Sequence, residues 1–433
     1  MPTDTSGRAK RAYRDVIIAG TAGNVMEWYD FAVYGYFVRP IGQMFFPAGH
    51  ETASLLAAYG AFAVGFLMRP LGSIIFGHMG DRTGRAYSLL WSVVAMALPS
   101  FTIGLLPTYQ DIGFAASLLM LICRIAQGLA VGGEYIGSVV FLAERAPAGE
   151  RGLATSWPTL GSIVGFLLGS AFGTVVFGAL PYSEVVSWGW RLPFLFSLVV
   201  GMTGFFIRRR VRLDEPPARE GFPLLQAVRN YPIEMLQVAG ISIINGVGFY
   251  ILFGYIVTWL QLYAGMKPHE ALLINSINMI IMIFVTPAAG WLSDKIGRKR
   301  LLVWPALGLV VLSWPLLALM QTGSFLNVFL AQLVFCVLVG AFCAVNPTII
   351  CEIFPAGVRA SAASTAYNVT MASLGGTAPL VAIWLIDRTG HPLAAAFYVI
   401  LASAISTVAT LSVRAHALRR IDEAPGLHSS LPR

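Results

Sequence analysis

The sequence predicts an all-α polytopic membrane protein of 12 transmembrane helices, built as two pseudo-symmetric six-helix bundles. Three observations carry the prediction. The 433 residues are 57% hydrophobic and only 12% charged, about half the charge a water-facing domain carries. Apolar stretches of the roughly 20 residues that a spanning helix needs recur along nearly the whole chain. And the basic residues are sorted by side: of 29 Lys and Arg, 23 fall on one face, four on the other and two inside spans. That asymmetry orients a membrane protein with both termini in the cytoplasm.

The elements follow in order. The start, MPTDTSGRAKRAYRD, is polar and basic, and the first apolar stretch is long enough to remain in the membrane as helix 1 (15–38). It carries Asn24, Glu27, Trp28, Asp30 and Tyr34. Helix 2 (52–77) carries Arg69 and ends in a basic loop. Helices 3 (87–107) and 4 (115–141) follow, the latter with Arg124, Glu134 and Tyr135. Helix 5 (154–179) holds Trp157 and a stripe of Gly161, Gly165, Gly169 and Gly173, which allows close helix contact. Gly128, Gly132, Gly133 and Gly137 act similarly on helix 4. Helix 6 (192–208) closes the first half. The charged, proline-bearing segment 208–232 reads as a soluble linker, so the domains are 1–210, a cytoplasmic linker 211–233, and 234–433. Helices 7 to 12 (236–262, 270–291, 301–321, 326–350, 360–386 and 393–413) repeat the pattern. Pro347 in helix 10 removes the hydrogen bond to the carbonyl of Cys343. Gly375, Gly376 and Pro379 weaken helix 11. Both places are hinge candidates.

The chain repeats itself internally. Gly77-His-Met-Gly-Asp81-Arg82-Thr-Gly84-Arg85 returns as Gly290-Trp-Leu-Ser-Asp294-Lys295-Ile-Gly297-Arg298, and Glu144 and Arg151 return as Glu352 and Arg359. The offsets are nearly equal, which points to duplication. These loops resemble the signature of the major facilitator superfamily. GNVMEWYDFAVYG (23–35), FLMRPLGSIIFGHMGDRTGR (66–85), RIAQGLAVGGEY (124–135) and GWRLPF (189–194) resemble its metabolite:proton symporter branch, and Leu121 to Gly169 is most similar to the proline/betaine transporters. One departure is Ala86, where the first loop usually carries a second basic residue. The resemblance implies the major facilitator fold and alternating access driven by a proton gradient, with a small polar metabolite as cargo.

An ionisable residue inside a span is a functional candidate by default. Five stand out, all in the first half: Glu27, Asp30, Arg69, Arg124 and Glu134. Their formal charges sum to −1, which one proton would neutralise. Depth along the helices suggests an outer pair, Asp30–Arg124, and an inner pair, Arg69–Glu134, with Asp30 or Glu27 carrying the proton. Arg124 could clamp a carboxylate. Trp28, Tyr34, Tyr135, Trp157, Tyr250 and Tyr255 could offer ring faces to a quaternary ammonium, with Asn24, Asn346 and Asn368 as polar lining. Cargo therefore stays open between a zwitterionic osmolyte such as betaine or proline and an organic acid such as α-ketoglutarate, citrate or shikimate. The loop motifs read as latches. Gly77, Asp81, Arg82, Gly84 and Arg85 form the gate motif of one half, and Asp294, Gly297 and Arg298 that of the other; in each, the aspartate, Asp81 or Asp294, would bind basic groups or a helix N-terminus of the opposite half. Glu144, Arg151, Glu352 and Arg359 would extend those networks.

Other classes are disfavoured. No HExxH, GxSxG or GxxxxGK[ST] occurs, and none of the six histidines falls mid-span, so an embedded enzyme or an ATP-driven pump is not expected. The four cysteines lie in spans without a CxxC, which argues against disulfides and metal. The charge of +8 follows membrane sidedness rather than nucleic acid. The expectation is a monomer in the inner (plasma) membrane of a bacterium, in contact with the bilayer, a small-molecule substrate and protons, and without a cofactor.

Overall fold

The computed structural model describes residues 5–83, 85–210 and 223–413, and among them only helices and their connections occur. The first half runs through α1 (Thr5–Tyr36), α2 (Glu51–Phe76), α3 (Arg85–Leu105), α4 (Phe114–Arg145), α5 (Arg151–Ala179) and α6 (Arg191–Arg210). The second half runs through α7 (Pro232–Tyr263), α8 (Pro268–Ile296), α9 (Arg298–Met320), α10 (Phe325–Ile353), α11 (Arg359–Thr389) and α12 (Ala394–Ser412).

Among the described residues nine of these helices are long and apolar enough to cross a membrane unaided: α2, α4, α5 and α7 to α12. The stretch Tyr182–Gly189 meets α6 at 52° and adds a tenth. Of the other two, α1 carries Glu27 and Asp30 in its middle, and the side chains of α3 are described only over Trp91–Leu105. The twelve-helix plan is consistent with this set. Large apolar side chains such as Phe284, Trp304, Val311 and Phe397 are exposed on the outside, where a soluble protein would place charge.

Small residues set how closely the helices approach. α1 lies along α5, and a Cβ on Gly161 or Gly165 would run into the carbonyls of Thr21 and Val25. α4 lies on α2 just as tightly: a Cβ on Gly128 would overlap the Gly65 carbonyl, and one on Gly132 the backbone of Arg69 and Gly72. Gly133 and Gly137 meet nothing within 4 Å and do not share that role. Between the halves, α5 packs on α8 and α2 on α11. Gly152 and Gly290 meet where α5 and α8 cross. Gly297, at φ 96° between α8 and α9, holds a left-handed backbone that a side chain would strain.

Three places differ from the sequence reading. The linker is not wholly irregular, since Pro223–Asn230 is a helix whose Ala227 is buried. α7 contains two π-turns, Ile244–Gly248 and Tyr250–Tyr255, and α11 contains one, Met371–Gly375. The weak point foreseen near Gly375 is thus a π-turn, a feature common at functional sites. α10 runs through Pro347 as one helix. The carbonyl that Pro347 cannot use, that of Cys343, accepts a bond from the Thr159 hydroxyl of α5 at 3.3 Å.

Candidate functional site

The five in-span ionisable side chains are all buried, but not paired as depth alone suggests. Arg69 bonds Glu27 at 2.6 Å, with both side chains no more than 2% exposed. The expected Arg69–Glu134 pair does not form; Glu134 accepts from Ser92 at 3.3 Å. The expected Asp30–Arg124 pair is indirect. Arg124 donates to Gln127 at 2.7 Å, Gln127 donates to the Ser100 hydroxyl, and Ser100 donates to Asp30. Ser100 and Gln127 were missed because neutral polar residues in a span carry no sequence signal of their own. Both guanidiniums are wrapped in rings. Arg124 lies 4.3 Å from the Tyr34 centroid and 5.1 Å from that of Phe31. Arg69 lies 5.2 Å from Phe66 and 5.7 Å from Trp28. Such contacts replace part of a cation's lost hydration.

Beside these groups, ring-bearing residues of both halves meet. Trp28 stacks on Tyr250 at 5.9 Å and meets Tyr135 edge-on at 6.2 Å. Tyr135 stacks on Tyr367 at 5.3 Å. Its hydroxyl bonds Thr159, the residue that holds the Cys343 carbonyl. Two cavities flank the cluster. One of ≈ 20 Å³ is bordered by Trp28, Tyr135, Thr159, Asn245, Cys343 and Tyr367. The other, of ≈ 10 Å³, is bordered by Phe31, Tyr59, Phe62, Phe166 and Tyr250. Each holds about one water at most. Tyr367 and Asn245 thus join the site, and Tyr367 was absent from the expected set.

The remaining expected side chains scatter around this centre. Asn346 donates to Asn245 at 2.8 Å, and Asn368 donates across the halves to the Gly132 carbonyl at 2.7 Å. Asn24 bonds Ser138 at 3.1 Å. The Tyr34 hydroxyl bonds the Ala58 carbonyl at 2.9 Å. Tyr255 packs edge-on against Tyr59, away from Trp28. Trp157 is half-buried and makes no ring contact with the cluster.

Both ends of the site are shut. At the end bearing the repeated loops, Asp294 of α8 accepts from the backbone N–H groups of Gly152 and Leu153, at 2.9 and 3.0 Å, in the first turn of α5. Arg298 bonds Asp294 at 2.6 Å and Glu352 at 3.2 Å. Arg359 bonds Glu144 across the halves at 3.1 Å. Glu144 and Glu352 therefore take partners other than the arginine seven residues on in their own repeat. Arg151 begins α5. Gly77, Asp81, Arg82, Gly84 and Arg85 fall outside the described side chains. At the opposite end the bonds across the halves are mostly neutral. Asn275 donates to the Tyr36 hydroxyl at 2.8 Å, Tyr36 donates to the Phe253 carbonyl at 3.2 Å, and Tyr59 and Thr258 share a bond at 3.1 Å.

Comparison with known proteins then places the chain. Residues 23–377 and 238–432 match the Major Facilitator Superfamily. The chain is 33% identical to the proline/betaine transporter of Escherichia coli K12 over 424 residues, spanning 94% of this chain and 84% of that one. It is 34% identical to the glycine betaine/proline/ectoine/pipecolic acid transporter OusA of Dickeya dadantii over 419 residues, 93% of this chain and 83% of that one. Its fold matches the proton:xylose symporter XylE bound to 6-bromo-6-deoxy-D-glucose with a TM-score of 0.72 at 20% identity, covering 93% and 95% of the two chains. It also matches the partially occluded inward-open XylE of E. coli at 0.69 and 19%, covering 92% and 98%.

Proposed function

The chain belongs to the Major Facilitator Superfamily, a family of membrane transporters rather than enzymes, and from that premise we propose that it is a proton-coupled symporter. It imports a small zwitterionic osmolyte, of the glycine betaine or proline kind, by alternating access. The observation that carries the reading is the closed aromatic cluster of Trp28, Tyr135, Tyr250 and Tyr367 between the halves, next to buried Arg69 and Glu27. Ring faces suit a quaternary ammonium, and a nearby guanidinium suits a carboxylate. The named cargo of the relatives agrees with both.

Within this reading Asp30, Glu27, Arg124, Glu134 and Arg69 form the proton-coupling set. Trp28, Tyr34, Tyr135, Tyr250, Tyr255, Trp157, Asn24, Asn346 and Asn368 line or support the path. Asp294, Gly297, Arg298, Glu352, Arg359, Glu144, Arg151 and the first loop motif form the gate at the cytoplasmic end. The units are 1–210, the linker 211–233 and 234–433. The protein acts as a monomer in a bacterial inner membrane, with both termini inside. Arg124 and Arg69 both keep guanidinium hydrogens without a partner, and that favours a second reading in which the cargo is a plain carboxylate.

Uptake by the reconstituted protein decides. A labelled panel of glycine betaine, proline, α-ketoglutarate, citrate and shikimate is measured with and without an inward proton gradient. Accumulation of a zwitterion that a protonophore abolishes is the expected result. Accumulation of an acid alone selects the second reading, and uptake indifferent to the gradient refutes proton coupling.

A further inference from the structure

Arg69 is under-used. Its guanidinium offers five N–H donors and gives one bond, from Nη2 to Glu27. Nε and Nη1 have no hydrogen-bond partner, although the residue is 1% exposed. A buried charged donor without an acceptor is costly, and such a group in a native protein calls for an explanation. The Tyr250 hydroxyl faces the same guanidinium and interacts with it, though not at full hydrogen-bond geometry. Tyr250 borders one small cavity, and Trp28, stacked on it, borders the other. Donors without an acceptor thus adjoin two small spaces between the halves that carry ring faces. Donors and rings side by side suit a ligand with an acidic end and a cationic end.

We propose that Arg69 anchors the cargo's carboxylate through Nε and Nη1, while the cargo's ammonium group lies against Trp28, Tyr135 and Tyr367. The same contact loads the transported proton. Two carboxylates on one guanidinium repel each other, and one proton on the pair relieves the repulsion. The proton comes from water at the open end and forms an O–H bond on Glu27. It leaves when the cargo departs and Glu27 again pairs with Arg69 as the anion. The five in-span charges sum to zero with that proton in place and a zwitterion bound. The groups facing Glu27 from its neighbours include Arg69 of α2, Tyr135 of α4, Tyr250 of α7 and Tyr367 of α11. Arg69 is the one cation among them. This assignment rests on the proposed osmolyte symport and specifies its coupling site.

The test uses the purified full chain in weakly buffered detergent with a pH-indicating dye, glycine betaine as cargo, and choline as its carboxylate-free counterpart. Wild type is expected to take up about one proton per glycine betaine bound and none with choline. Glu27→Gln should still bind glycine betaine, take up no proton, and fail to accumulate it in vesicles under a proton gradient. Arg69→Gln should weaken glycine betaine about 10–100-fold, the loss of one or two charge-assisted bonds, and leave choline within about twofold. Arg69→Lys keeps the charge without the fork. It serves as the folding control by its unfolding temperature and should weaken glycine betaine by about tenfold. Proton uptake that persists in Glu27→Gln, or an equal loss of both ligands in Arg69→Gln, overturns the assignment while symport itself stands. Failure of wild type to bind any zwitterion removes both.

Discussion

Asp294→Asn tests the gate proposed at the end that bears the repeated loops. Asp294 sits at the end of α8, and its two oxygens accept the backbone N–H groups of Gly152 and Leu153, which belong to the other half. Those two bonds exist only while the end is closed. Its bond to Arg298 lies within the second half and survives opening, so it cancels from the balance. Charge-assisted bonds are worth roughly 1.5–3 kcal/mol each, and a neutral one roughly 0.5–1.5. Asparagine keeps one neutral acceptor and turns the other oxygen into a donor facing an N–H. It also gives up the anion at the positive end of α5, worth roughly 0.3–1 kcal/mol. The net cost to the closed state is then about 2–4 kcal/mol, or about 30–900-fold in the closed-to-open ratio. Cys343 gives a native readout. It is 3% exposed and borders the central cavity, so it reacts with an alkylating reagent only when an end opens. With Cys123, Cys336 and Cys351 replaced by serine, the labelling rate from the motif face should rise at least about tenfold in Asp294→Asn. A rate within about twofold of the parent, or an equal rise from the opposite face, would refute the reasoning.

Two further outcomes are expected. Gly128→Leu drives a side chain into the Gly65 carbonyl, so α2 and α4 must part. Overpacking of this kind costs about 1–3 kcal/mol or more, and thermal unfolding in detergent should fall by several degrees, whereas Gly137→Leu, which meets nothing within 4 Å, should not show it. In the loop between α3 and α4, bonds from the Thr108 backbone and hydroxyl hold the Asp111 carboxyl below the usual carboxylate range. The capping contribution is therefore fully present above the ordinary carboxylate value near about 4 and fades as pH falls through the lowered one. The protection factor of Gly113, whose N–H bonds the Tyr109 carbonyl, taken against the intrinsic exchange rate at each pH, should fall at low pH, and Asp111→Asn should abolish that fall.

How far the sequence could be read depends on which coordinate is asked for. Hydropathy and arginine placement report position along the membrane normal, and so the helix order and the repeat were legible. Counting residues along a helix gives depth as well, which sorted the five buried ionisable groups into an Asp30–Arg124 pair and an Arg69–Glu134 pair, whereas Arg69 in fact bonds Glu27. It does not give the direction in which a side chain points around its axis. Glu27 and Asp30 differ by less than one turn, and a guanidinium arm spans that difference, so depth could not choose between the carboxylates. The Arg124–Gln127–Ser100–Asp30 chain depends on two neutral side chains that look like any polar residue in a span. The Thr159 bond to the Cys343 carbonyl was half visible, because Pro347 announces a free carbonyl but not the donor that finds it. The helix Pro223–Asn230 was hidden by the charged sequence before it.

The π-turns of α7 and α11 change what those helices can do while their ends stay put. A π-turn stores one residue more than the ordinary winding needs. Handing that residue along the rod by one step exchanges a single hydrogen bond, worth about 1 kcal/mol net, and screws the crossed segment through roughly one residue's arc, ~100°. Gly246 and Gly375 abut where the two rods touch, with the Met371 and Tyr250 side chains beside them. Tyr250 on α7 and Tyr367 near the π-turn of α11 are carried on either side of that contact. Such a step would swing the rings like vanes, each on its own spindle, and would reshape the small spaces beside them before the bundles moved apart.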